Sequence, residues 1–113
     1  MVDPIRRVLV KQPRDAYQSQ SQLDEQSPLL NYFGTPDFDK AQAAHESLVS
    51  FLESSGAEVH YLSKDNSTSL DSVYTHDPCV VTNGGIVLCT MGKVARLPES
   101  SAIGKYFEST FAK

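Results

Sequence analysis

Two aspartates, Asp71 and Asp77, lie six residues apart in a segment that predicts a strand, so both carboxylates are expected near one rim of the fold. Carboxylates placed in this way accept parallel N–H bonds from a planar, permanently charged cation such as a guanidinium. A second interpretation is purely structural. Asp71 is then a turn acid, and Asp77 initiates the turn at Pro78, as Asp-Pro pairs often do.

The two cysteines, Cys79 and Cys89, lie among Val, Leu and Ile in segments that predict buried strands. A reactive thiolate needs some exposure and a nearby cation, histidine or helix N-terminus, whereas burial raises a thiol pKa. We therefore predict reduced structural thiols, not a nucleophile or a disulfide framework. The histidines are separated in the chain and form no metal-ligand spacing with the cysteines, so no metal and no cofactor are expected (His45, His60 and His76).

The composition limits the class of protein. The chain has 113 residues, of which 40% are apolar and 21% charged, and this predicts one ordered domain over residues 1–113. A net charge of −4 argues against nucleic acid as a partner, because non-specific nucleic-acid binding requires a basic surface. No apolar run approaches the roughly 20 residues that span a bilayer, and no signal-peptide pattern is present. We expect a soluble, cytoplasmic protein that does not bind membranes.

The first half of the chain predicts a strand, a crossover helix and a second strand. Residues 5–10 and 57–62 have the composition and alternation of strands, and the helix between them begins near Thr35 and ends near Ser54. Apolar residues recur on one helical face at spacings of three and four: Phe38, Ala41, Ala44, Leu48, Phe51 and Leu52. The polar stretch 16–35 shows no periodicity, so we expect a long loop there that packs on or covers something.

The second half predicts a hairpin followed by a helix. Residues 78–82 and 86–91 read as strands joined by a turn at Asn83, Gly84 and Gly85, which tolerate positive φ. A last helix begins near Pro98, with an apolar side formed by Ile103, Tyr106, Phe107 and Phe111.

Several short motifs occur in a fixed order: Lys11-Gln12-Pro13, Pro36-Asp37-Phe38…Ala41-Gln42…His45, Asp71-Ser-Val-Tyr-Thr-His-Asp-Pro78, Asn83-Gly84-Gly85 and Met91-Gly-Lys…Arg96…Glu99. This set resembles the amidinotransferase superfamily, closest to its dimethylarginine dimethylaminohydrolase-like branch. The resemblance covers nearly all of the chain but only the N-terminal part of a family enzyme. It implies the pentein fold, in which ββαβ modules form a five-bladed propeller, and this chain would supply about two modules. We therefore expect an α/β fold with a small mixed sheet and two helices.

The resemblance also implies roles for particular residues. Asp71 matches the family's substrate-binding aspartate, and Asp77 matches the acid that grips the substrate guanidinium. His76 lies where some members carry a glutamate and others a basic residue, so its role stays open. Arg96 matches an arginine that binds the substrate carboxylate or holds active-site acids, although a solvated surface arginine is the alternative. The next position departs from the family pattern because it is apolar (Leu97).

The long stretch before the first long helix matches a segment that can cover the family's active site. Leu29 or Leu30 would then contact the substrate, and the alternative is that both pack as ordinary core beside the helix. Leu30 is the substrate-contacting candidate.

The resemblance implies chemistry at the central carbon of a guanidinium, where a cysteine thiolate attacks with help from a histidine. Neither Cys79 nor Cys89 matches the catalytic cysteine, so we predict no catalytic residue here and a truncated member that is inactive alone and oligomerises. One alternative is a split hydrolase, completed by a complementary pentein chain that carries the cysteine and histidine. Another is a regulatory module that binds a small guanidinium compound.

Overall fold

Two parallel strands open the fold in the computed structural model, which describes residues 4–110. Strand β1 (Arg7–Val10) pairs with β2 (Glu58–Tyr61), with Arg7 opposite Glu58 and Val10 opposite Tyr61. A parallel pair needs a long crossover connection, and the residues between these strands supply it with helices. The predicted strand–helix–strand unit is confirmed.

The predicted long loop is wrong, because the stretch after β1 forms two helices. Helix α1 (Pro13–Ala16) has Pro13 in its first turn, and α2 (Gln20–Leu29) begins after Ser19, whose hydroxyl accepts a hydrogen bond from the Gln22 backbone N–H at 3.1 Å. Most residues of α2 are polar, and its fully buried apolar side chain is Leu23. A single buried apolar residue makes no periodic pattern in the sequence. We therefore attribute this helix to the burial of Leu23 in the tertiary structure.

Helix α3 (Phe38–Ser54) begins and ends close to the predicted positions. The capping residue is Asp37, not Thr35, since the Asp37 carboxylate accepts a hydrogen bond from the Lys40 backbone N–H at 2.9 Å. Gly56 follows the helix at φ 98°, a left-handed conformation that glycine adopts without a steric penalty.

The buried face of α3 matches the predicted apolar stripe only in part, since Phe38 and Ala41 pack against buried core residues as expected. Val49 is buried, whereas Leu48 is exposed and Phe51 is 69% exposed. Gln42 lies on the inward face instead, where its side-chain oxygen accepts from the Arg14 backbone N–H and its amide donates to Gln12. Gln42 thus makes a polar contact with the segment of α1, and part of the apolar stripe remains in solvent.

The predicted hairpin is confirmed as strands β3 (Cys79–Thr82) and β4 (Gly85–Leu88), which pair antiparallel. This hairpin is a second two-stranded sheet, separate from β1 and β2, so the single mixed sheet is not observed among residues 4–110. Its strands are also not buried, because Val80 and Val87 are exposed and Val81 is 71% exposed.

Helix α4 (Pro98–Thr110) buries Ile103 and packs against the hairpin at Gly104. A Cβ atom at Gly104 would lie 3.0 Å from Leu88 Cδ1, so the absence of a side chain permits the close approach. The Ser100 hydroxyl donates to the Cys89 carbonyl and ties the helix to the base of the hairpin. The predicted apolar side of this helix extends to Phe111, which lies outside the described residues.

The core cluster lies where α1, α2 and a short 3-10 helix, Leu70–Val73, meet. Its buried members are Ala16, Tyr17, Leu23, Leu30 and Leu70. Residues 4–110 thus form a mixed α/β structure with four α-helices and two small sheets, rather than two helices on one sheet. Within the same residues, no helix has the length and apolar character to cross a bilayer.

Candidate functional site

Two short turns bring the predicted site residues together. Asp71 lies in the 3-10 helix Leu70–Val73, not on a strand, and its carbonyl accepts from the Tyr74 backbone N–H at 3.0 Å. A second 3-10 helix, Val94–Arg96, leads directly into α4 and carries Arg96. The first turn begins the segment from Asp71 to Asp77, which connects the core to the hairpin. The second turn brings the charged side chain of Arg96 to that segment.

Arg96 is the centre of an internal ion-pair network. Its Nε and Nη2 donate to the two oxygens of Glu99 at 2.9 and 2.8 Å, and its Nη1 donates to Asp77 Oδ2 at 2.8 Å. Nη2 also donates to the Tyr74 carbonyl at 3.1 Å. Arg96 and Glu99 are both buried, and the hydrogen bonds that Arg96 donates to Glu99 first, then the one it donates to Asp77, raise the pKa of the Arg96 guanidinium. Arg96 is therefore neither a solvated surface arginine nor free to bind an anion, since it holds two acids.

Asp77 keeps part of its carboxylate in solvent while Arg96 fixes its position. Its side chain is 36% exposed, and Oδ1 lies 2.8 Å from His76 Nε2. The hydrogen bond from Arg96 is the main reason that the pKa of this carboxyl lies below its usual value, and the neighbouring His76 lowers it further. The side chain of His76 is largely exposed. Asp77 is thus an ionised acceptor held at the surface.

Asp71 differs from Asp77 because it is buried and accepts a hydrogen bond at each carboxylate oxygen from within the chain. The Tyr32 hydroxyl donates to Oδ1, and the Lys93 ammonium donates to Oδ2, each at 2.7 Å. Burial, followed by the hydrogen bond to Asp71, raises the pKa of the Tyr32 phenol well above its usual value. Asp71 is therefore an internal acceptor of a hydroxyl and an ammonium group.

Leu30 is buried in the core cluster. This agrees with the alternative interpretation, in which Leu30 packs as an ordinary core residue. Its carbonyl accepts a hydrogen bond from Lys93 Nζ at 2.8 Å. Lys93 consequently joins the end of α2 to Asp71. The neighbouring Leu29 is exposed.

Three participants in these networks were not predicted: Tyr32, Tyr74 and Lys93. Lys93 is part of the Met91-Gly-Lys motif, so a signal for it was present, but no role followed from the motif alone. Tyr74 lies in the Asp71–Asp77 segment, and its ring centroid is 5.9 Å from the Arg96 guanidinium carbon. Tyr32 was placed in the supposed loop, and only the position of α2 brings its hydroxyl to Asp71.

The cysteines are free thiols and are half-buried. Burial, followed by the charge of Cys89, raises the pKa of the Cys79 thiol, so this sulfur is protonated at neutral pH. Across residues 4–110, no group of three or more histidine, cysteine, aspartate or glutamate side chains is arranged to hold a metal ion.

An open groove of about 500 Å³ lies elsewhere, between β1 and the hairpin tip, beside α4. Its lining is mostly apolar and includes Val8, Val81, Ile86 and Phe107. Asp71, Asp77 and Arg96 do not line it, so the groove and the acid cluster are separate features.

The comparisons with known proteins add no relative. No family model, no curated protein and no solved structure matches this chain.

Proposed function

We propose that this chain is the N-terminal part of a pentein-type, dimethylarginine dimethylaminohydrolase-like protein and that it binds the guanidinium group of a small ligand at Asp77. The observation that carries the proposal is the state of Asp77, which is ionised, fixed by Arg96 and still exposed at its edge. A guanidinium needs an acceptor that is already oriented, because it donates parallel N–H bonds in a rigid plane. The order of sequence motifs around Asp77 supports the same proposal.

Within the proposed function, Arg96 and Glu99 are positioning residues. The bidentate pair fixes the guanidinium of Arg96, which in turn fixes one oxygen of Asp77. The other oxygen lies toward His76, whose exposed ring leaves room for a ligand to compete with it. The resulting site recognises a cation without supplying a nucleophile.

As part of this proposal, the chain binds its ligand but does not cleave it by itself. Attack on the central guanidinium carbon requires a thiolate close to a proton-transfer group, and these act as a unit. The protonated thiol of Cys79 supports this part of the proposal. Free cysteines also support a reducing, cytoplasmic compartment.

We further propose that the hairpin associates with a second copy of the chain. The strands β3 and β4 contain no charged residue and expose Val80, Val81 and Val87, so two acidic copies can meet there without like-charge repulsion. Light scattering at micromolar concentration tests this, and we expect a dimer that Val80→Lys converts to a monomer. A monomer before substitution contradicts self-association. A complementary pentein chain carrying the cysteine and histidine is then supported if citrulline forms only when both chains are mixed.

Calorimetry with methylguanidine tests the binding site. We expect weak binding to the unaltered chain and loss of the binding heat in Asp77→Asn, since the substitution keeps the shape but removes the charge. Asp39→Asn is the matched control, because Asp39 is an exposed acid in the first turn of α3, and its heat should be unchanged. Equal heats for the unaltered chain and Asp77→Asn would refute the site.

A further inference from the structure

Both oxygens of Asp71 already accept a hydrogen bond inside the fold. Tyr32 donates to Oδ1 and Lys93 to Oδ2, and the residue is buried. A ligand ammonium group could reach Asp71 only by displacing the ammonium of Lys93. Displacement would exchange one ion pair for another and leave Lys93 without its partner, so it offers no net gain.

The ammonium group of Lys93, in contrast, has an N–H group that is not used within the described part of the fold. Its ammonium donates to the Leu30 carbonyl at 2.8 Å and to Asp71 at 2.7 Å, which uses two of its three N–H groups. The third has no protein partner among residues 4–110, and the side chain is 37% exposed. Lys93 therefore presents one charged donor to solvent.

The other cation of the cluster cannot do the same. Arg96 is buried and gives its hydrogen bonds to Glu99, Asp77 and Tyr74. The adjacent Leu97 has no polar side-chain atom. Of the charged groups in the cluster, Lys93 is thus the one suited to receive an anionic group of a ligand.

Lys93 and Asp77 lie at the two ends of one connected network. The Arg96 backbone N–H donates to the Lys93 carbonyl at 2.9 Å, and the Arg96 side chain reaches Asp77. On the other side, Lys93 binds Asp71, whose carbonyl accepts from Tyr74. A partly exposed negative group and a partly exposed positive group therefore belong to the same network.

We infer that Lys93 is a specificity-determining residue, which selects ligands that carry a carboxylate and a guanidinium but no α-ammonium group. This inference rests on the proposed guanidinium binding at Asp77. The favoured ligand class is the ω-guanidino carboxylates: their carboxylate pairs with Lys93, and they present no second cation. Arginine carries an α-ammonium group that Lys93 repels and Asp71 cannot receive.

Calorimetry with three probes tests the inference on the unaltered chain: 4-guanidinobutanoate, arginine and propylguanidine. We expect 4-guanidinobutanoate to bind about tenfold more tightly than propylguanidine, which has no carboxylate. Arginine should bind no more tightly than propylguanidine. In Lys93→Met the advantage of 4-guanidinobutanoate should disappear, Lys93→Arg should retain it, and Lys64→Met, which alters an exposed lysine, should leave it unchanged.

Two results would overturn the inference in different ways. Tighter binding of arginine than of 4-guanidinobutanoate would show that Asp71 receives an ammonium group, and the proposed binding at Asp77 would still stand. Failure of all three probes, propylguanidine included, would overturn the proposed function and the role of Lys93 with it. The comparison among ligands uses the unaltered chain, so it holds whether or not a Lys93 variant folds.

Discussion

The guanidinium of Arg96 binds both carboxylate oxygens of Glu99, at 2.9 and 2.8 Å, in a buried position at the start of α4. Such bidentate pairs are geometrically specific and charge-assisted. The pair has a structural consequence, because the same guanidinium also fixes Asp77 and the Tyr74 carbonyl. The start of α4 and the acid segment are therefore held by one side chain.

Arg96→Met should destabilise the fold strongly. It leaves Glu99 buried without its partner, and breaking a buried pair costs about 3–5 kcal/mol. Chemical denaturation should show this loss in the free energy of unfolding. The double variant Arg96→Met/Glu99→Leu removes the uncompensated charge and should recover most of the loss, whereas equal destabilisation of the single and double variants would contradict the account.

Tyr32→Phe should remove the hydroxyl that bonds Asp71 Oδ1 and lower the free energy of unfolding by about 1–3 kcal/mol, the cost of an unsatisfied buried acceptor. Tyr61→Phe is the matched control, since Tyr61 is exposed, and its effect should stay within about 0.5 kcal/mol. Thermal melts of the three proteins give the comparison. Similar losses for both variants would argue against a specific role of the Tyr32 hydroxyl.

The same tyrosine makes stability depend on alkaline pH. Burial raises the pKa of both Tyr17 and Tyr32 above the usual value of about 10. In the unfolded chain these phenols ionise near pH 10, whereas in the folded chain they stay neutral, so their contribution is complete below about pH 10 and is lost above it. Melting temperatures between pH 8 and 11 should fall at the alkaline end, and the fall should be smaller in Tyr32→Phe. An identical pH dependence in both proteins would contradict this.

Lys11 is a buried amine that donates a hydrogen bond to the Thr68 hydroxyl at 3.2 Å, and the residue is 1% exposed. Burial lowers the pKa of this ammonium, although Asp65, Asp15 and Glu99 act in the opposite direction. Lys11→Met should therefore leave stability unchanged or raise it, by about 1 kcal/mol, because an apolar group replaces a poorly paired charge. Urea denaturation beside Lys64→Met, an exposed control, measures this. A clear loss of stability in Lys11→Met alone would show that the ammonium is well satisfied.

Local signals predicted the elements that are delimited by caps and turns. Helix α3 begins at the Asp37 cap, two residues after the predicted Thr35, and ends just before Gly56, and Asn83 and Gly84 form the hairpin turn. Helix α2 was missed because Leu23 is its one fully buried apolar residue, so no periodicity marked it. The Asp71 network was missed for a related reason, since Tyr32 reaches Asp71 only through the packing of α2. Contacts between residues far apart in the chain, such as Lys93 with Leu30, depend on the tertiary structure. The spacing of residues in the sequence does not reveal them.

The Ser19 cap stabilises α2 in addition to the burial of Leu23. Ser19→Ala should remove the hydrogen bond to the Gln22 N–H and cost about 0.5–2 kcal/mol. Ser47→Ala, in the interior of α3, is the control and should have a small effect. Circular dichroism during urea denaturation compares them, and an unchanged Ser19→Ala midpoint would show that core packing alone holds α2.

Carbon-detected NMR of the Asp77 carboxyl group during titration with methylguanidinium tests the central claim most directly. The account predicts a saturable shift of the Asp77 Cγ signal at neutral pH, with the signal of Asp39, an exposed acid on α3, unmoved. The shift should vanish as pH falls below the pKa of the carboxyl, because a protonated acid no longer attracts the cation. An Asp77 signal that stays fixed, or one that moves no more than that of Asp39, would contradict guanidinium recognition at this site.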